Sequence, residues 1–182
     1  VIIPNLGEEK EKRILVAINQ ADVAMKGRYW NYEENKPEPQ LVDFLNEKVE
    51  SVRKRIKEGT GINTEPIYYC AGFKEEGEAQ CKPYNLSKLF YYILNNTPEE
   101  KRLSYVDNMN SNSEMWEDDD DLQDYKAGIM EGFGSAIIQG IGKGASIGGE
   151  IGAIFGLRKV GAVVGGGVGA VCGFIKGLFG GW

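Results

Sequence analysis

The chain has 182 residues, a formal charge of −6 and no histidine. That length holds one domain of ordinary size, or a small domain with an appendage. The missing imidazole excludes histidine-dependent triads, histidine general bases and zinc sites with histidine ligands.

The three cysteines, Cys70, Cys81 and Cys172, are scattered and odd in number, which argues against a disulfide framework and fits a reducing compartment. Glycine is unevenly spread: 19 of the 25 lie between Ala127 and Trp182. That stretch carries four basic and two acidic side chains, a net of +2, against 17 basic and 25 acidic, a net of −8, in the rest. Two parts in different physical settings are expected. The acidic part argues against a nucleic-acid backbone as its main partner, and no direct nucleic-acid signal is present. The opening Val1 to Pro4 is too short for a signal peptide, so the N-terminus reads as the cut end of something longer.

In chain order, Ile14 to Ile18 is a continuous apolar run after a charged stretch, the pattern of a strand buried on both faces of a parallel sheet. Asn19 to Pro39 is polar, with Gly27, Pro37 and Pro39, and a connection of that length is often functional. From Gln40 to Glu58 the apolar residues Leu41, Leu45, Val49, Val52 and Ile56 recur at helical spacing, with Gly59 and Gly61 to end the helix. Ile67 to Cys70 predicts a second strand after Pro66. Asn85 is placed to N-cap a second helix with Leu86, Leu89, Phe90, Ile93 and Leu94 on one face, stopped by Asn95, Asn96 and Pro98. Phe90, Tyr91 and Tyr92 read as core packing rather than a base-stacking platform. The order strand, helix, strand, helix is a βαβα piece of a parallel α/β sheet. Two strands are too few to bury both faces of such a sheet, so further strands are expected from elsewhere.

Ser104 to Tyr125, with Glu114, Glu117, Asp118 to Asp121 and Asp124, reads as an acidic, disordered spacer. It lacks the glycine and terminal glutamate of a calcium loop. Domain limits are accordingly set at 1–103 for the α/β part, 104–126 for the linker and 127–182 for the glycine-rich segment.

The residues most suggestive of chemistry are Asn19-Gln20-Ala21-Asp22, at the end of the first strand. In an open α/β sheet, ligands bind at the carboxyl ends of strands. An Asp there accepts hydrogen bonds from the N1 and N2 donors of guanine, a donor pair that adenine lacks. Asn19 would brace the loop and base edge, and the Gln20 stem would cover the ring. Tyr69-Cys70-Ala71-Gly72 ends the second strand, with the Ala71 N–H placed to donate to guanine O6. An Asx turn or helix cap explains Asn19 and Asp22 equally well in isolation; it is the placement of both short motifs at strand ends, separated by one amphipathic helix, that favours a nucleotide.

On these residues, Ile14 to about Arg102 resembles the second half of a bacterial Era-like GTPase domain. Asn19-Gln20-Ala21-Asp22 resembles the guanine-specificity motif Asn-Lys-x-Asp, with Gln20 in place of the usual Lys. Cys70-Ala71 resembles the Ser-Ala loop, with Cys for Ser. Tyr84-Asn85-Leu86-Ser87-Lys88-Leu89, followed by Thr97 to Arg102, resembles the last helix and its exit. The resemblance implies a partial P-loop, Rossmann-like G domain that binds GTP or GDP through Asn19, Gln20, Asp22, Cys70 and Ala71. No Gly-x-x-x-x-Gly-Lys-Ser/Thr loop and no Asp-x-x-Gly motif occurs in the chain; Gly142-Lys143 is followed by Gly144, with Ile137 where the first glycine belongs. The phosphate cradle, the magnesium ligand and the switches are therefore expected upstream of Val1, with Mg2+ bound only if that half is present. This chain alone is not expected to hydrolyse GTP.

In the tail, glycines recur every four residues at 144, 148, 152 and 156, then at 161, 165, 169, 173, 177 and 181. On a helix that spacing forms one face, the small-xxx-small packing mode of membrane helices. In water each interior glycine costs about 1 kcal/mol relative to alanine, so lipid or an apposed helix must compensate. Val160 to Trp182 has 13 apolar residues, nine glycines and one charge, Lys176, and is long enough to span a bilayer. Arg158 and Lys159 favour a single span or a re-entrant hairpin over two spans. The segment resembles glycine-zipper peptides in composition; a flexible low-complexity tail is the alternative. These features lead to a guanine-nucleotide-binding portion at the cytoplasmic face of a bacterial inner membrane, associated with it through 127–182 and self-associating through Gly-x-x-x-Gly faces. The rival reading is a non-enzymatic glycine zipper that inserts or self-associates, with a degenerate α/β scaffold.

Overall fold

A computed structural model describes residues 14–72, 82–139 and 150–155. The chain is mixed α/β, mostly helical, with a small parallel sheet. It divides into two compact units, Val1–Asn96 with Met115–Gln123, and Thr97–Glu114 with Asp124–Trp182.

In the first unit, β1 (Ala17–Ile18) pairs in parallel with β4 (Ile67–Tyr68), matching Ala17 to Ile67 and Ile18 to Tyr68. Between them run β2 (Trp30–Asn31), β3 (Lys36–Pro37) and helix α1 (Pro39–Thr60), so α1 is the crossover of a βαβ unit. α1 starts with Pro39, whose ring presets a helical φ. It ends at Gly61, whose φ of 71° is left-handed and whose N–H donates to Lys57 O at 2.8 Å. Gly59 lies inside the helix rather than ending it. Leu41 and Leu45 are fully buried and form the core with Ala21, Trp30, Tyr68, Cys70 and Tyr84. The five-residue strand expected at Ile14–Ile18 is shorter, and Ala17 is exposed. Among the described residues β1 is paired along one edge only, and its Ile18 packs against the core.

The polar segment 19–39 is not structureless. Ala21–Gly27 forms tight turns broken at Ala24, Met25 and Lys26, and β2 pairs antiparallel with β3 as a hairpin. Asn31 Oδ1 accepts from the backbone N–H of Glu33 and of Glu34, both at 3.0 Å, which shapes the hairpin turn.

Helix α2 (Leu86–Asn95) begins after Asn85 as expected, but the Asn85 side chain does not cap it. Its φ of 59° is left-handed, and its amide turns inward instead: Nδ2 donates to Tyr68 O at 3.1 Å and Oδ1 accepts from Asp120 N–H at 2.9 Å. Phe90 packs on Trp116 with ring centroids 5.5 Å apart, the packing role expected for it.

The acidic stretch expected as a disordered spacer is instead shared between the units. Met115–Gln123 straps onto the first unit: Asn85 N–H donates to Asp118 O at 2.8 Å, Ser87 Oγ to Asp119 Oδ2 at 2.7 Å and Lys88 Nζ to Asp120 Oδ2 at 2.5 Å. Ser87 and Lys88 of α2 thus bind two of its carboxylates.

In the second unit, α3 (Glu99–Arg102) lies against α4 (Tyr125–Gln139), with Arg102 Nη1 donating to Gly132 O at 3.2 Å. Asp124 Oδ1 accepts from Ala127 N–H at 2.8 Å, an N-cap in place of the spacer role. Tyr125, Ile129, Phe133, Ile151 and Ile154 are buried. No helix among the described residues is long and apolar enough to cross a membrane. The expected span from Val160 to Trp182, and most of the glycine repeat, lie outside the described residues.

Candidate functional site

The parallel pairing carries past the ends of the two strands. Tyr69 N–H donates to Ile18 O at 2.9 Å, and Ala21 N–H donates to Tyr69 O at 3.2 Å. The loop after β1 and the loop after β4 are thereby fixed side by side, at the carboxyl ends where an open α/β sheet presents its ligand sites.

A cavity of about 340 Å3 opens there, at the lower end of the range for small-molecule sites. From the sequence-predicted set, Asp22 and Cys70 line it. Asn19, Gln20 and Ala71 do not. Asn19 Oδ1 accepts from Gln20 N–H at 2.8 Å, so it braces the loop locally. Gln20 is exposed, with a left-handed φ of 64°. Ala71 is exposed, and its N–H has no hydrogen-bond partner among the described residues. Cys70 is a buried thiol whose backbone exchanges two 3.0 Å hydrogen bonds with Tyr84. Its Sγ accepts from Gly72 N–H at 3.4 Å.

The remaining walls were not legible as a site in the sequence. Trp30 and Tyr32 come from the hairpin, Trp30 standing edge-on to Tyr84 with centroids 5.4 Å apart. Glu33, Glu34 and Asn35 come from the hairpin turn, Lys82 from the approach to α2, and Asp118 from the strap. Asn35 ties the last three segments together: Nδ2 donates to Asp118 Oδ2 at 2.8 Å, to Pro83 O at 3.1 Å and to Lys82 O at 3.2 Å. The signal for Trp30 was the aromatic cluster Tyr29-Trp30-Asn31-Tyr32 in an otherwise polar connection. No local signal marked Asp118, which reaches the cavity only through the strap.

The lining sets four carboxylates against one ammonium, a formal charge of −3. Lys82 Nζ lies 3.6 Å from Glu117. Lys36 Nζ sits 2.6 Å from Glu34, and the hydrogen bond it donates to that carboxylate, with the carboxylate's charge, holds the Lys36 ammonium above its usual range. Such a cavity repels phosphate and favours a group presenting hydrogen-bond donors. The backbone around it is left-handed at Gln20, Met25, Lys26, Tyr29 and Asn35, with φ between 48° and 64°. Strained conformations of this kind concentrate at functional sites.

Behind the cavity, burial, followed by the nearby Asp120 carboxylate, pushes the Tyr68 hydroxyl up to about 12. Burial, then Tyr68 and the Asp120, Asp119 and Asp121 carboxylates, raises Tyr84 as well. The unfolded chain releases these protons first, near pH 10, while the folded chain keeps them. Stability should therefore be insensitive to these groups below pH 10 and fall between pH 10 and about 12, by on the order of 2 kcal/mol for Tyr68. Chemical denaturation across that window checks this: Tyr68→Phe should make the fall shallower, and an unchanged slope would contradict it.

No known protein family, curated protein or solved structure compared with the chain matches it.

Proposed function

We propose that this chain is the guanine-nucleotide-binding portion of an Era-like GTPase, with Asp22 selecting the base and the Ala71 N–H available to guanine O6. The observation that carries the reading is the parallel β1–β4 pairing, which brings the Asn19–Asp22 and Cys70–Ala71 loops together, with Asp22 and Cys70 lining one cavity beside Trp30. The acidic lining fits the N1 and N2 donors of the base and not a triphosphate. No hydrolytic step is assigned to this chain. The P-loop relationship and the Rossmann-like sheet belong to the same proposal. So does attachment to the cytoplasmic face of a membrane through 127–182, supported by the glycine periodicity of the sequence.

Calorimetric titration of GTP and ATP into the protein and into its Asp22→Asn variant tests the reading. Asp22→Asn places an amide N–H or a single acceptor where the base needs two acceptors. Guanine affinity should fall about ten- to a hundredfold with the fold intact. Equal GTP affinity in the two proteins would remove Asp22 from base recognition.

A further inference from the structure

Guanine presents three donors along its N1–C2–N2 edge: one on N1 and two on the exocyclic amine. A single carboxylate accepts N1–H and one amine hydrogen. The second amine hydrogen points away from it, and if it is buried without an acceptor it costs affinity. The site as read from the sequence has no partner for that hydrogen.

Asp118 has the attributes of one. It lines the same cavity as Asp22 and is half-buried. Its Oδ2 is held by Asn35 Nδ2 at 2.8 Å, while Oδ1 has no protein partner among the described residues. Its backbone is fixed independently, with its carbonyl accepting from Asn85 N–H at 2.8 Å. Two residues on, Asp120 is pinned through its N–H to Asn85 and through its carboxylate to Lys88, at 2.9 and 2.5 Å. The carboxylate is thus held in place with one oxygen open. Glu33 and Glu34, the other acids in the lining, stand on an exposed turn, and Glu34 is paired with Lys36.

We propose that Asp118 is a second specificity-determining residue of the base site, accepting the exocyclic amine hydrogen that Asp22 leaves unpaired; this rests on the reading that guanine occupies the cavity. The strap 115–123 is then part of the site rather than a spacer beyond it, and recognition of the 2-amino group depends on chain about 95 residues away from Asp22.

Calorimetric titration of the full chain with GMP, IMP and AMP separates the contributions. IMP keeps N1–H and lacks the 2-amino group. Wild type should bind GMP about tenfold more tightly than IMP. In Asp118→Asn, Asn35 requires an oxygen facing its own amine, so the variant turns N–H groups toward the cavity. The GMP-to-IMP affinity ratio should then fall to one or below. Asp22→Asn should weaken GMP and IMP together. Two outcomes overturn the proposal while leaving the base site standing: wild-type protein that prefers GMP to AMP but binds GMP and IMP equally, or an Asp118→Asn protein that keeps the wild-type GMP-to-IMP ratio. The first needs no variant and so is independent of folding. Wild-type protein that binds GMP no better than AMP overturns the reading of the cavity, and this proposal with it.

Discussion

Lys88→Met should destabilise the protein by about 3–5 kcal/mol, because it leaves a nearly buried carboxylate without its counter-charge. Lys88 Nζ lies 2.5 Å from Asp120 Oδ2, and the two side chains are 11% and 9% exposed. The ammonium also sits 5.8 Å from the centroid of the Tyr68 ring. Asp120 stands in a run of four aspartates, so removing the cation adds repulsion from its neighbours to the loss of the pair. The double variant Lys88→Met/Asp120→Leu removes both charges and should recover most of the loss, since a well-packed apolar pair often replaces a buried ion pair at little cost. Urea denaturation of wild type, Lys88→Met, Asp120→Leu and the double variant gives the coupling energy. A loss below about 1 kcal/mol in the single variant would mean that solvent screens this pair as it does a surface one, and that it does not hold the strap.

Asn85→Ala should cost about 2–4 kcal/mol. Asn85 is fully buried, and its amide bonds Tyr68 O on one side and Asp120 N–H on the other, joining the end of β4 to the strap. Alanine removes both partners of those groups and also strains the left-handed φ of 59°. Asn85→Gly relieves the strain and loses the same bonds, so it should remain destabilised by about 1–3 kcal/mol. Equal stability of Asn85→Gly and wild type, by the same denaturation, would show that only the backbone conformation mattered at this position.

The sequence was legible where a regular period or a terminal signal dominates. Leu41, Leu45 and Val49 recur at helical spacing, and Gly61 supplies the left-handed stop, so α1 was readable to within two residues at each end. The adjacency of the loops after β1 and β4 followed from the βαβ order. The hairpin Trp30–Asn31/Lys36–Pro37 was not readable, because two-residue strands carry no period and its turn is shaped by the Asn31 side chain rather than by glycine. Asn85 was placed correctly before α2 but given the wrong bond, because its partners come from segments distant in sequence. The acidic run misled for a related reason. Charge density reads as solvation unless the residues that bind the carboxylates are known, and Ser87, Lys88 and Asn35 lie far up the chain. Cavity walls assembled from a hairpin and a strap share no local motif, so Asp118 was beyond sequence reasoning and Trp30 offered only its aromatic neighbours Tyr29 and Tyr32 as a signal, whereas Asp22 and Cys70 stand at the strand ends where a site was expected.

The central claim is that a guanine base occupies the cavity at the ends of β1 and β4. The most direct test is a pair of 1H–15N correlation titrations of the full chain, one with GMP and one with AMP. GMP should shift the Trp30 indole N–H and the backbone amides of Asp22, Cys70 and Asn35 in a saturable way, and AMP should leave them in place. Shifts of equal size with both nucleotides, or shifts confined to residues away from this cavity, would contradict it.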